Sequence, residues 1–135
     1  MPVLTIRERF SGGFQGELEA PRAKAAIGSG EGRLAPYDML LGALASCYYS
    51  TFLDIIAKKR LDLAGAEIEV NGEKRQEVPA TLKWVNLRLA LHGAVRSPVA
   101  DAGFREAAEL AGKYCSIYRT LSHVAEMKTE LEFIN

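Results

Sequence analysis

The chain has 135 residues, 48% of them apolar, and its 17 basic side chains are balanced by 17 acidic ones. That length supports one domain, residues 1–135, with a real core and too little chain for a second. The zero formal charge excludes a general electrostatic attraction for nucleic acid or an anionic membrane.

The start, Met1 to Arg9, has no basic segment followed by an apolar core, so it does not read as an export signal and the chain is expected in the cytoplasm. In that reducing compartment a permanent disulfide between Cys47 and Cys115 is disfavoured. Residues 3–10 carry β-branched side chains with some alternation, and Ser11-Gly12-Gly13 supplies a turn. Residues 14–19 and 22–27 continue as second and third strands of a meander, and the glycine-rich run 28–32 reads as a flexible link.

Pro36 suits the first position of a helix, where its missing N–H has no partner to lose, and Asp38 adds a favourable charge in the first turn. The helix is expected over Pro36 to Arg60. It is apolar almost all round in its first half, the pattern of a helix covered by protein on every side. It does not read as a bilayer span, which takes about 20 mostly uncharged residues, because Asp38 and Asp54 bracket a shorter segment containing Ser46, Ser50 and Thr51. In so small a chain the cover is expected from a second copy, with Gly42, Ser46 and Ser50 forming a small-residue strip. An intimate homodimer follows as an expectation.

Residues 66–77 and 81–92 alternate apolar and polar around Val78-Pro79-Ala80, giving two long strands with one wet face. Ser97-Pro98 reads as an N-cap followed by proline at the first helical position, opening an amphipathic helix that ends near Gly112. A short helix is expected from Ser116, with Ile117, Tyr118 and Leu121 turned inward, and residues 129–134 alternate as a closing strand. The fold class is α+β with a mainly antiparallel sheet and a long buried central helix.

Cys47 and Cys115 are the strongly nucleophilic side chains of the chain. Read from their surroundings alone they are either a redox pair or two buried apolar fillers. Cys115 sits near the start of the short helix, where backbone dipoles favour a thiolate. Cys47 lies mid-helix without such local help, and burial there raises a thiol pKa unless another segment brings a cation or a hydrogen-bond donor. Tyr48, Tyr49, Tyr114 and Tyr118 flank the two cysteines, as core packing or as the lining of a pocket. His92 and His123 belong to no ligand spacing, so neither points to a metal. No glycine run follows a phosphate-binding pattern, and no cofactor is expected.

The run Ala35-Pro36-Tyr37-Asp38-Met39-Leu40-Leu41-Gly42-Ala43-Leu44-Ala45-Ser46-Cys47, followed later by Cys115-Ser116-Ile117-Tyr118-Arg119-Thr120-Leu121, resembles the OsmC/Ohr superfamily of osmotically inducible and organic hydroperoxide resistance proteins. The resemblance covers almost the whole chain. It implies an intertwined homodimer with the two long helices at its centre and a cysteine-based peroxidase serving oxidative stress. Cys47 would attack the O–O bond of a small-molecule hydroperoxide, Cys115 would resolve the product as a disulfide, and a dithiol or lipoyl-type reductant would reset the pair.

The chain departs from the pattern at three places. Phe14 follows Gly12-Gly13 where active members carry an arginine, Tyr37 follows Pro36 where they carry a glutamate, and Ser116 stands where proline is common after the second cysteine. Arg7, Arg9, Arg33 and Arg119 are the cations that would have to replace the missing charge. With Phe14, Tyr37, Tyr48 and Tyr118 as lining, the resemblance also allows an alternative: a non-catalytic protein holding a small apolar ligand at the dimer interface.

Overall fold

A computed structural model describes residues 2–134. The chain divides into two compact units, Met1–Gly42 and Ala43–Asn135. Among the described residues are two three-stranded sheets and three helices, an α+β architecture.

The first unit is a meander of β1 (Arg7–Phe10), β2 (Gln15–Glu19) and β3 (Lys24–Gly28), paired antiparallel in the order β1-β2-β3. Its strands are shorter than the sequence predicts. β1 starts at Arg7 because its partner β2 ends at Glu19, opposite Arg7, which leaves Val3 and Leu4 unpaired and about nine-tenths exposed (89% and 91%). β3 starts at Lys24 because a turn closed by the Ala20 N–H on the Ala23 carbonyl (2.8 Å) occupies the residues before it.

The glycine-rich stretch after β3 is not the flexible link expected. The Gly28 N–H donates to Leu34 (3.0 Å), the Leu34 N–H donates to Ala26 (2.9 Å), and the Arg33 guanidinium donates to the carbonyls of Gly16 (3.0 Å) and Ile27 (3.2 Å). These bonds tie it to the meander. Gly28 itself has φ +130°, and a Cβ there would collide with the Phe14 carbonyl, so this position requires glycine.

Helix α1 (Pro36–Lys58) begins with Pro36 in its first turn, and the Asp38 carboxylate reaches back to accept the Ala35 N–H at 2.8 Å, satisfying a donor the helix leaves open. It ends two residues before the expected Arg60. The Leu61 N–H bonds the Ile56 carbonyl and the Arg60 N–H bonds the Ala57 carbonyl, a Schellman closure that puts Arg60 at φ +57°. By length and composition α1 is apolar enough to cross a bilayer, yet Leu44, Tyr48, Phe52 and Ile56 are buried in protein. Those four residues recur every fourth position and mark one covered stripe; Gly42, Ser46, Ser50 and Leu53 are exposed. Within one chain the helix is therefore covered on one side and not all round.

The second unit holds β4 (Gly65–Lys74), β5 (Leu82–His92) and β6 (Glu126–Ile134) in the order β4-β5-β6, with α2 (Pro98–Tyr114) and α3 (Ser116–Ser122) between β5 and β6. β4 and β5 pair antiparallel, and a bulge at Glu73/Lys74 ends the ladder before the predicted residue 77. β6 pairs parallel to β5, since the two intervening helices carry the chain back across the sheet before the strand begins. The other three strand pairings among the described residues are antiparallel, as expected of the sheet as a whole.

The core of this unit joins Val85, Leu87, Leu89 and Leu91 of β5 with Phe104, Ala107, Ala108 and Ala111 of α2, all buried. Phe104 meets Phe133 of β6 edge to face at 5.8 Å. The opposite sheet face is wet, as the alternation predicts: Arg88 faces Glu130 and Glu132, each at 3.6 Å. Helix α2 starts on Ser97, whose hydroxyl accepts the Ala100 N–H at 2.9 Å, and runs through Gly112 to Tyr114. Gly112 does not stop it. A Cβ at Gly112 would lie 3.2 Å from the Tyr118 ring, so glycine there admits that ring.

Candidate thiol site

The two cysteines meet at the start of α3. Cys115 caps both helices: its N–H donates to Ala111 at the end of α2 (2.8 Å), and its sulfur accepts the Tyr118 N–H at the start of α3 (3.4 Å). A cysteine thus does here what serine or aspartate does at an ordinary N-cap. Its side chain is fully buried. Cys47 comes from the middle of α1 and is half-buried; Thr51, one turn on, donates its hydroxyl to the Cys47 carbonyl at 2.9 Å.

The Cys47 sulfur faces the start of α3. Burial pushes its thiol pKa up, but the Ile117 N–H, the Cys115 thiol and the Ser116 hydroxyl and N–H together outweigh that, and the net direction is down. The Ser116 Oγ lies 3.9 Å from the Cys47 Sγ. For Cys115 the balance is the reverse. Burial raises its pKa, the Tyr118 N–H opposes this, and the adjoining Cys47 raises it further by accepting a hydrogen bond from the Cys115 thiol and by its charge. Of the pair, Cys47 is therefore the more readily deprotonated and Cys115 the less; neither cysteine is in a disulfide.

This inverts the residue-by-residue expectation, in which the helix start favoured Cys115 and left Cys47 without help. Both sulfurs share the first turn of α3. Desolvation raises the pKa of both; at the half-buried Cys47 the neighbouring donors outweigh it, and at the fully buried Cys115 they do not. The donors that favour the Cys47 thiolate are all neutral groups. From the sequence Ser116 is a helix start and a departure from a proline; the signal for its place beside Cys47 is a hydroxyl at the first position of a helix that follows a cysteine.

Tyr48 and Tyr118 also come together, with ring centroids 6.0 Å apart. Tyr48 is fully buried, and its hydroxyl donates to the Ala108 carbonyl at 2.6 Å. Tyr118 is half-buried. Its ring helps line an open cavity of about 470 Å³ with Arg105, Ala108, Glu109, Gly112, Thr129 and Leu131.

Phe14 belongs to the first unit, where it is 48% exposed at the β1–β2 turn and stacks on Phe10 at 6.0 Å. Tyr37 lies in the first turn of α1 in the same unit and is half-buried. Of the arginines, Arg9 pairs with Glu19, Arg33 is engaged by the two carbonyls of the meander, Arg7 is exposed in β1, and Arg119 is exposed in the last turn of α3. His92 ends β5, and His123 caps α3.

The fold and the paired cysteines define a class of protein. The family model described as OsmC-like protein matches residues 28–130. The chain belongs to that family. Its curated relatives include the protein YhfA of Escherichia coli K12, 28% identical over 107 residues that span 78% of each chain. Among solved structures, an OsmC-like protein from Mycoplasma pneumoniae superimposes with a TM-score of 0.85 at 16% identity over 99% of both chains. An organic hydroperoxide resistance protein OsmC from Legionella pneumophila gives 0.70 at 14% identity, covering 98% of this chain and 99% of its own. At such identities these two likenesses establish a shared fold.

Proposed function

We propose that the protein is a thiol-dependent hydroperoxide reductase that works through a Cys47/Cys115 dithiol-disulfide cycle. The observation that carries the reading is the meeting of the two cysteines at the start of α3, where the half-buried Cys47 sulfur lies 3.9 Å from the hydroxyl of Ser116, the residue after the buried Cys115; the thiol pKa is shifted down at Cys47 and up at Cys115. A lowered pKa favours the thiolate that attacks, and a second thiol close by is what disulfide formation requires.

The Cys47 thiolate attacks one oxygen of the hydroperoxide and the O–O bond breaks. Two electrons pass from sulfur, Cys47 becomes a sulfenic acid, and the leaving alkoxide takes a proton to become an alcohol. The Cys115 sulfur then attacks the Cys47 sulfur, its proton joins the departing hydroxide as water, and a disulfide forms. An external dithiol, such as a lipoyl-type group, returns both sulfurs to thiols and is itself oxidised to a disulfide. Such a cycle suits the cytoplasm, where reductants are held ready.

We further propose that the working unit is a homodimer. The exposed small-residue strip Gly42, Ser46, Ser50 on α1 allows close approach of a second helix, and the exposed apolar Leu53 gains cover from it.

The test is stoichiometric. Reduced protein mixed with one equivalent of an organic hydroperoxide should lose two thiols per peroxide, Cys47→Ser should abolish peroxide loss, and Cys115→Ser should stop at the sulfenic acid. Full peroxide consumption by Cys47→Ser refutes the mechanism. A folded parent protein that does not react points instead to the ligand-binding alternative.

A further inference from the structure

We propose that Ser116 is a positioning residue for Cys47, its hydroxyl holding the sulfur as a thiolate. The inference rests on the reading of Cys47 as the nucleophile, and it assigns the means by which that nucleophile is kept charged.

Ser116 is the first residue of α3, a position whose N–H has no partner inside the helix and is free to point elsewhere. Its side chain is exposed, and its Oγ stands 3.9 Å from the Cys47 Sγ, within reach for a large sulfur acceptor. A serine hydroxyl rotates to suit its neighbour, so beside a thiolate it donates. Two features fix the geometry. Cys115 is held in an extended conformation (φ −71°, ψ 118°) by its double capping role, and the Ser116 carbonyl is engaged by the Thr120 hydroxyl at 2.9 Å. The Ser116 hydroxyl is therefore held beside the Cys47 sulfur, and the backbone N–H groups of Ser116 and Ile117 act on its pKa in the same direction.

A sharp substitution series follows from the helix position. Alanine removes the hydroxyl and keeps the N–H. Proline removes both and remains compatible with the fold, because the first helical position tolerates it and the preceding residue already has the extended conformation that proline demands. Threonine keeps both donors.

The readout is the pH dependence of iodoacetamide labelling at Cys47, resolved from Cys115 by peptide mass spectrometry. The midpoint should rise by about one pH unit in Ser116→Ala, rise at least as much in Ser116→Pro, and return to near the parent value in Ser116→Thr. Circular dichroism confirms that each variant is folded. A Ser116→Ala midpoint equal to the parent's overturns the proposal, as does a Ser116→Pro midpoint no higher than the parent's. The labelling midpoint does not depend on turnover. If the parent fails to consume hydroperoxide while the midpoints still rise in this order, the peroxidase reading falls and the role of Ser116 stands.

Discussion

Tyr48→Phe removes one oxygen from the centre of the second unit. The hydroxyl is fully buried and donates to the Ala108 carbonyl at 2.6 Å. Because Ala108 lies inside α2, its carbonyl retains the intrahelical bond to the turn above, so the loss is that of one net hydrogen bond and not of an orphaned acceptor. We expect a loss of about 1–1.5 kcal/mol. With unfolding entropy scaling with chain length, that lowers the melting temperature of a 135-residue protein by about 4–5 °C. Tyr48→Ala also leaves a cavity and should cost about 3–5 kcal/mol.

The same substitution has a pH signature. Burial is the main cause that holds the Tyr48 phenol well above its ordinary range, against a lowering contribution from the Thr129 hydroxyl; Tyr118 and Cys115 raise it further. The folded state thus keeps a proton that the unfolded chain releases above about pH 10. The contribution to stability is complete below that pH and is lost as pH rises beyond it. Tyr48→Phe lacks this term, so its stability should fall less steeply on the alkaline side. Urea titrations at pH 7, 10 and 11, all at one protein concentration, measure both effects. A variant as stable as the parent at pH 7, with an alkaline limb that superimposes on it, refutes the account.

Cys115→Ala removes a donor from Cys47 and should move the Cys47 labelling midpoint to higher pH, whereas Cys115→Ser, which keeps a hydroxyl, should move it less; equal midpoints in all three proteins would sink the coupling. The depressed Cys47 pKa contributes stability above the free-thiol value of about 8.5, and this contribution is lost as pH falls through the folded value. Cys47→Ala should remove that dependence from urea titrations across the range, and an unchanged pH profile would contradict it. Phe104→Ala opens the contact between α2 and β6 and should cost about 3–5 kcal/mol by chemical denaturation. Ser97→Ala deletes the N-cap bond to the Ala100 N–H and should cost about 1 kcal/mol, read as a lower melting temperature with an unchanged labelling midpoint at Cys47.

Much of the fold was legible because it is written in local periodicity. The 2-residue alternation of β4 and β5, the apolar run of α1 after Pro36 and the Ser97-Pro98 start of α2 each identify an element without reference to any other. Boundaries failed where a partner decides them. β1 is cut short by the length of β2, α2 passes Gly112 because a ring from α3 packs there, and β6 begins at Glu126 because β5 offers a parallel edge from Trp84 onward.

The site divides the same way. From the sequence alone come two cysteines, one within a long helix and one opening a short helix. Which thiol pKa falls and which rises depends on the tertiary structure. The same first turn of α3 serves both, and the outcome turns on which thiol is buried and which lies where Ser116 and Ile117 aim their donors. Desolvation and hydrogen-bond direction are properties of positions in space, and residues remote in the chain acquire them only when α1 is packed against the start of α3.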